Sequence, residues 1–317
     1  MNRFGTVFFL VITSFMVIVF NSCTIETAQP SSDKHLIVLS DYLTMSDTTI
    51  FSEFIQLEKV SLEIINMEAD KIIGLMRNQG DNVQADLIMV RSLFDVYRMQ
   101  KRGIQQQIHF EEELSPAINN ISSSQFNFVG FGLDPFIIAN PNGTQARTYN
   151  DLLRIKHINL LSKRELIPML APISSKLKKV KGNKWIKDFT DNEVSRSLSS
   201  DSSFSLMPIL TTYSNYINNK DTLLDFDNRF LTYPNSRSSG SFYNVRSFSI
   251  VKQAQKYSIA KSFILFYTTD SYNLKLNKKL DTFSILDDSS SFRRYKEWPD
   301  KLMHYYQTID RVLQRIE

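Results

Sequence analysis

The sequence predicts an α/β protein of two lobes, each a mixed but mostly parallel sheet flanked by helices. Three observations carry that prediction. Short β-branched apolar runs alternate with helical stretches through roughly the first hundred residues of the body, the pattern that builds parallel sheets. The 317-residue chain is long for a single core, at about 100–200 residues per domain. Apolar residues make up 42% of it, with 23 Phe and 13 Tyr, an ordinary fraction for a globular protein with a sizeable core.

The first run is "HLIVLS" (His35–Ser40), a buried strand. Ser46 and Asp47 offer caps for the helix that follows, with Ile50, Phe51, Phe54 and Ile55 at helical spacing. "VSLEII" alternates Val60, Leu62 and Ile64 and reads as a second strand. In "EADKIIGLMRNQG", Ile72, Leu75 and Met76 share one helix face, and Gly80 suits the position past its end. "ADLIMV" (Ala85–Val90) is the third strand, and the helix of "SLFDVYRMQKRG" stops at Gly103. The strands recur about every 25 residues with one helix between each pair, a β-α-β-α-β unit. Ligands in such sheets bind beyond the carboxyl ends of the strands, here the loops Ser40–Met45, Asn66–Glu68 and Val90–Ser92.

The middle of the chain is less regular. A strand is expected at Pro135–Ala139, ended by the turn "NPNG", and a helix begins at "TYNDLLRI". "NKWIKDFTDNEVSRSLSS" reads as one or two short amphipathic helices, and the basic stretch Lys176–Lys184 as a solvated turn or helix face. Strands are expected at "FSLMPIL" (Phe204–Leu210), "RFLTYP" and "FYNVRSFSIV". A helix with Ile259, Phe263 and Phe266 on one face follows, and a closing helix runs from Pro299.

The only cysteine, Cys23, closes an uncharged apolar run that begins at Phe4, after the positive Arg3. A lone cysteine makes no intramolecular disulfide. Positive start, apolar run and small residues before a cleavage point form the order of a secretory signal. The run is short for a span that wants about 20 residues. "FNSC" stands where a bacterial lipoprotein signal has its lipobox, although Phe20 and Asn21 depart from the usual residues there. The resemblance implies cleavage before Cys23 and acylation of that cysteine, palmitate being one such chain. An uncleaved signal anchor is the alternative. Residues 23–34 are then a polar tether carrying Pro30, Ser31 and Ser32.

Composition and motifs narrow the function classes. A net charge of +4, from 37 basic and 33 acidic residues, is too mild for nucleic-acid binding. The four histidines (His35, His109, His157, His304) show no ligand spacing. No nucleophile elbow, P-loop, dinucleotide loop or zinc-protease motif is present. The sequon at Asn142 matters only in a eukaryotic secreted chain. The expectation is a protein without cofactor that is not an enzyme.

The segments "LIVLSDYLTMSDTTIFSEF", "MEADKIIGLMRNQGDNVQADLIMV", "TYNDLL", "KWIKDF" and "FLTYPNSRSSGSFYNVRSFSIVKQAQKYSIAKSFILFYTT" occur in an order that resembles the ferric-iron-binding family of ABC-transporter substrate-binding proteins. That resemblance covers nearly the whole mature chain and implies the two-lobed class II periplasmic binding protein fold. It implies lobe 1 at 35–127, with 239–280 returning to it, lobe 2 at 128–238, and a closing helix at 299–317 near the lobe interface. It also implies a monomer that works with an ABC permease from the periplasm or exterior.

The family's iron binders use a tyrosine pair in lobe two. Here "ILTTYSNY" supplies Tyr213 at one position of the pair, and Tyr216 is displaced by a turn. The family's acidic ligand after the third strand is replaced by Arg91 and Ser92, and Asp41 and Tyr42 occupy the first loop. A trivalent cation wants several anionic ligands, whereas Arg91 suits a carboxylate or phosphate. The candidate ligand-binding residues are therefore Asp41, Tyr42, Arg91, Ser92, Tyr213 and Tyr216. No resident metal is expected, with Tyr213 the ligand if the solute is iron. The bland readings are packing tyrosines, an Arg91 paired with a rim acid, and an Asp41 that bonds its own loop. Two functions follow: a lipid-anchored binding protein for a small anion, or a surface interaction lipoprotein that kept the fold without transport.

Overall fold

The protein is described from a computed structural model, which covers residues 34–139, 146–155, 157–160, 166–191, 193–195, 208–219, 231–235, 237–287, 293–296 and 299–314. Cys23, the signal and the sequon at Asn142 lie outside them. Lobe 1 opens with strand β1 (His35–Ser40), a short 3-10 turn (Met45–Phe51) and helix α1 (Ser52–Glu58). Thr44 caps that turn through a capping box with Asp47; of the two expected caps, Ser46 and Asp47, the second takes part. Strand β2 (Ser61–Asn66), helix α2 (Ala69–Gln79), strand β3 (Leu87–Val90) and helix α3 (Leu93–Lys101) complete the predicted unit. Both β2 and β3 pair with β1 in parallel, as the spacing requires.

After the short helix α4 (Pro116–Asn119), strand β4 runs the full length Val129–Ala139. The sequence predicted only its second half. Pro135 explains the difference: it lacks an N–H and is normally excluded from central strands. Here it sits where β4 changes partners. Val129–Pro135 pair antiparallel with strand β9 (Tyr243–Ile250), and Phe136–Ala139 with strand β7 (Ile209–Thr212). Strand β5 (His157–Leu160), strand β6 (Glu193–Ser195) and the two-residue strand β8 (Leu231–Thr232) finish the sheet. Its order is β2-β1-β3-β9-β4-β7-β5-β6, with β8 also on β4. The expected lobe boundary at 127/128 thus meets a strand shared by both halves of the sheet.

The predicted short helices around Trp185 are instead one helix, α5 (Ile167–Asp191), with Pro172 inside it. Its buried residues Leu170, Ile186 and Phe189 join the basic stretch to the amphipathic one. The helix expected at "TYNDLLRI" is a 3-10 turn, Tyr149–Arg154, held by a Thr148–Asp151 capping box. Helix α6 (Tyr213–Asn219) follows β7 directly. Helices α7 (Tyr257–Thr268), α8 (Asp270–Lys279) and α9 (Pro299–Gln314) end the fold.

One core lies under α1 and α7, where Phe51, Phe54, Phe263 and Tyr267 interlock; Phe54 and Phe263 meet edge-on at 5.1 Å. Such pairs contribute about 0.5–1.5 kcal/mol beyond area burial. The other core runs across both halves of the sheet, through α3, α5 and α9. A narrow crevice lies between these helices, lined by Leu93, Pro172, Phe242, Tyr295 and Tyr306 among others. Gly240 (φ +94°) turns the chain into β9 with Arg294 packed against it; a Cβ there would come within 2.3 Å of the Arg294 carbonyl.

Candidate functional site

The site is built where three loops end on the carboxyl edge of the parallel strands. Ser40 Oγ accepts the backbone N–H groups of Tyr42 (3.3 Å) and Leu43 (3.1 Å), a local turn that Ser favours. Asn66 donates to the Leu43 carbonyl at 2.7 Å and ties the β2 edge to the same loop. These bonds fix Asp41 and Tyr42 against β3.

Asp41 and Arg91 form one unit. Asp41 Oδ1 accepts the Arg91 backbone N–H at 3.1 Å, its carbonyl accepts Arg91 Nη2 at 3.2 Å, and its Oδ2 lies 3.6 Å from Arg91 Nε. Arg91 Nη1 also donates to Asn215 Oδ1 at 3.3 Å. Asn215 stands in the first turn of α6, two residues after Tyr213. Arg91 therefore joins the β3 edge to α6. Its side chain is 34% exposed and that of Asp41 only 7%. Burial pushes the Asp41 carboxyl up to about 7, against the pull of the Arg91 charge.

A second charged group lies beneath. Asp134 on β4 and Arg246 on β9 are almost fully buried, with Arg246 Nη2 3.6 Å from Asp134 Oδ2. The Asp134 carboxylate also accepts the Ser214 backbone N–H (2.9 Å) and hydroxyl (2.5 Å), and Arg246 Nη2 donates to that hydroxyl oxygen at 2.7 Å. Thus the first turn of α6 is moored to the two strands that run between the lobes. The Arg246 guanidinium carbon lies 4.3 Å from the centre of the Tyr42 ring, a cation–π contact. Tyr42 Oη and Arg246 Nε are both shut from solvent. Burial pushes the Tyr42 phenol far above its ordinary value, although Arg246 draws it down.

The remaining candidates separate. Ser92 is 3% exposed and caps α3, accepting the Phe94 N–H at 3.3 Å. Tyr216 is 1% exposed and packs with Ile137, Ala139 and Ile209 in the small core of lobe 2, away from Arg91. Tyr213 is half-buried beside Phe283, with ring centres 5.0 Å apart; burial, and after it Asp281, raises its phenol. The fold gathers Asp41, Tyr42 and Arg91, and sets Tyr213 on the turn that Arg91 reaches. Asp134, Arg246, Ser214 and Asn215 were not read from the sequence. The available signal was a single charge inside each of two strands, because charges are buried only when paired. No cluster of three or more His, Cys, Asp or Glu side chains stands ready for a metal among the described residues.

No family model matches the chain, and no curated protein matches it in sequence. Solved structures do. Superposition on a Trichodesmium FutA (IdiA) in complex with iron and citrate gives a TM-score of 0.74 at 17% identity, covering 89% of this chain and 99% of that one. The chain has the two-lobed periplasmic binding protein fold. A ferric binding protein from Campylobacter jejuni matches equally, with a TM-score of 0.74 at 15% identity over 89% and 99% of the two chains. Iron-bound HitA from Pseudomonas aeruginosa gives 0.71 at 10% identity over the same shares. Among the described residues, no helix of this binding-protein fold is long and apolar enough to cross a membrane.

Asp41 makes stability depend on pH. Its folded-state pKa is raised, so the folded protein holds a proton that the unfolded chain releases between about pH 4 and pH 7. Stability from this group is full at the acid end and is lost as pH rises through that window. Melting curves of wild type and Asp41→Asn, recorded from pH 4 to pH 8, are expected to diverge in slope there, the variant lacking the decline. Parallel curves would show that Asp41 ionises as it does in the unfolded chain.

Proposed function

We propose that the protein is a solute-binding component of an ABC importer, held by lipid at Cys23 on the outer side of a bacterial membrane. It takes a small anionic solute in the cleft beside Arg91 and delivers it to a permease, without catalysing a reaction. The observation that carries this reading is the Arg91 guanidinium, which reaches from the β3 edge to α6 and there donates to a neutral amide, Asn215. A carboxylate or phosphate in that place makes a stronger, charge-assisted bond than the amide does. It would bridge the lobes, as hinge closure on a ligand requires.

The deciding measurement is a thermal-shift screen of anions, followed by calorimetry on wild type and Arg91→Ala. A loss of tenfold or more in affinity is expected from the variant. Affinity is also expected to fall as pH rises above about 7, because the Asp41 carboxylate then competes for Arg91. A best ligand that is neutral or cationic overturns the reading.

Ferric iron is the second reading, favoured by the iron named for the solved neighbours. Ferric iron wants several anionic oxygen ligands, and the cation Arg91 stands at the end of β3 beside Asp41. Tight binding of bare ferric iron is therefore not expected. Loading with ferric citrate should give no strong visible band; a band abolished by Tyr213→Phe would restore the iron reading.

The lipid anchor has its own test. Wild type should fractionate with membranes and Cys23→Ser should not follow it. Equal partitioning of the two proteins would reject acylation.

A further inference from the structure

The basic run, which the cleft does not use, lies on α5. Its lysines are Lys176, Lys178, Lys179, Lys181, Lys184 and Lys187, and the flanking acids in the chain are Glu165 before them and Asp188 after. A Cβ at Gly182 would come within 2.8 Å of the Ser174 Cα. In a straight helix those two positions stand about 12 Å apart. α5 is therefore sharply bent, and the segment between Ser174 and Gly182 forms the outside of the bend. Lys176, Val180 and Lys181 are exposed there, and Lys184 and Lys187 are exposed on the turns that follow. Val180 is 82% exposed, the highest value of any large apolar side chain among the described residues.

The chemistry of this tip fits a lipid surface. An apolar side chain set among cations matches the membrane interface, where ammonium groups meet phosphate headgroups and the apolar group reaches the acyl boundary. Every cation of the run is a lysine, a point charge on a flexible stem, with none of the rigid guanidinium forks that suit fixed carboxylates. Protein interfaces are depleted in lysine for that reason among others. Lys176 is steadied from below, its ammonium 4.6 Å from the centre of the Tyr295 ring. Proximity comes from the chain itself. Residues 23–34 extend to at most about 40 Å, so a body tethered at Cys23 cannot leave the bilayer surface by more than that.

Building on the lipid-anchor reading, we infer that the bend of α5 is a membrane-contact tip that binds anionic lipid headgroups through Lys181 and Lys184, with Val180 at the interface. The acyl chain holds the protein at the membrane, and the tip sets which way the body faces. A permease in the same bilayer then meets the cleft in one orientation. The contact is made by exposed charges, so salt screens it.

The full acylated chain carrying Val180→Cys is labelled at that thiol with a fluorophore. It is then reconstituted in vesicles of phosphatidylcholine, alone or mixed with phosphatidylglycerol, with a quencher on the lipid headgroup. Quenching is expected to be at least threefold greater in the anionic vesicles and to vanish in about 1 M salt. In Lys181→Glu/Lys184→Glu it should fall to the level of the neutral vesicles. A label at Leu57→Cys, an exposed site on α1, should show no dependence on lipid charge. Equal quenching in the two vesicles, or the same charge dependence at both labels, overturns the inference. Shielding of the label in native membranes but not in vesicles of their extracted lipids also overturns it, because the partner is then an acidic protein. A chain that floats with neither vesicle means that the anchor reading has failed, which is a different result. The tip is then judged alone by co-sedimentation with anionic vesicles: wild type should pellet at least threefold more than the double variant, and equal pelleting refutes the inference.

Discussion

The pairing of β4 with β9 is the constraint on which the rest of the molecule depends. These two antiparallel strands stand at the middle of the sheet, between the parallel strands of lobe 1 and the β7-β5-β6 group of lobe 2. They carry Asp134 and Arg246 side by side into the interior. A buried ion pair is not by itself a source of stability, since desolvation of two charges offsets much of their attraction. Removing one partner is different, because the other is then left charged and unmatched, at about 3–5 kcal/mol. The pair is better understood as a device of specificity. It fixes the first turn of α6 to the strands and so determines where Asn215 and Tyr213 stand.

The cleft above this pair is electrically balanced rather than simply positive. Each arginine has a carboxylate within 4 Å. Under the proposal of an anionic solute, selectivity rests on how easily each carboxylate yields its arginine. Asp134 is locked by Ser214 and does not yield. Asp41 sits near its own titration point, and a proton on it frees Arg91 for another partner. The interaction-lipoprotein alternative draws on the same balance: arginines already paired have less to offer a solute. Occupancy of the cleft by a carboxylate separates the two.

Much of the fold was legible because its physics is local. The lobe 1 unit follows from periodicity, and β1, β2 and β3 lie where the apolar runs place them. The failures are places where long-range structure overrides a local signal. Pro135 reads as a strand end, yet the exchange of β9 for β7 at that point tolerates its missing N–H. The polar residues between Leu177 and Trp185 hid the continuity of α5, whose buried face is supplied by residues on either side. At the site, Arg91, Asp41 and Tyr42 were visible because they follow strands in a parallel unit. Arg246 was not, because only the pairing of two strands remote in sequence brings it to Asp134. Tyr216 shares a helix face with Tyr213 and lies deeper, in the small core against which Tyr213 packs.

The switch of partners at Pro135 also determines how the two halves can shift relative to each other. β4 stays in ladder with β9 on one side of that residue and with β7 on the other, so sliding either half along the strand would move every pair by a whole residue. Such a slip inverts which side chains face the core, and the buried Asp134 and Phe136 forbid it. Bending and twisting across the ladder keep the pairs intact. The joint therefore has one soft direction and one stiff one, more like a leaf spring than a ball joint. Any approach of the lobes is an arc about a fixed line, bringing the same residues opposite one another each time.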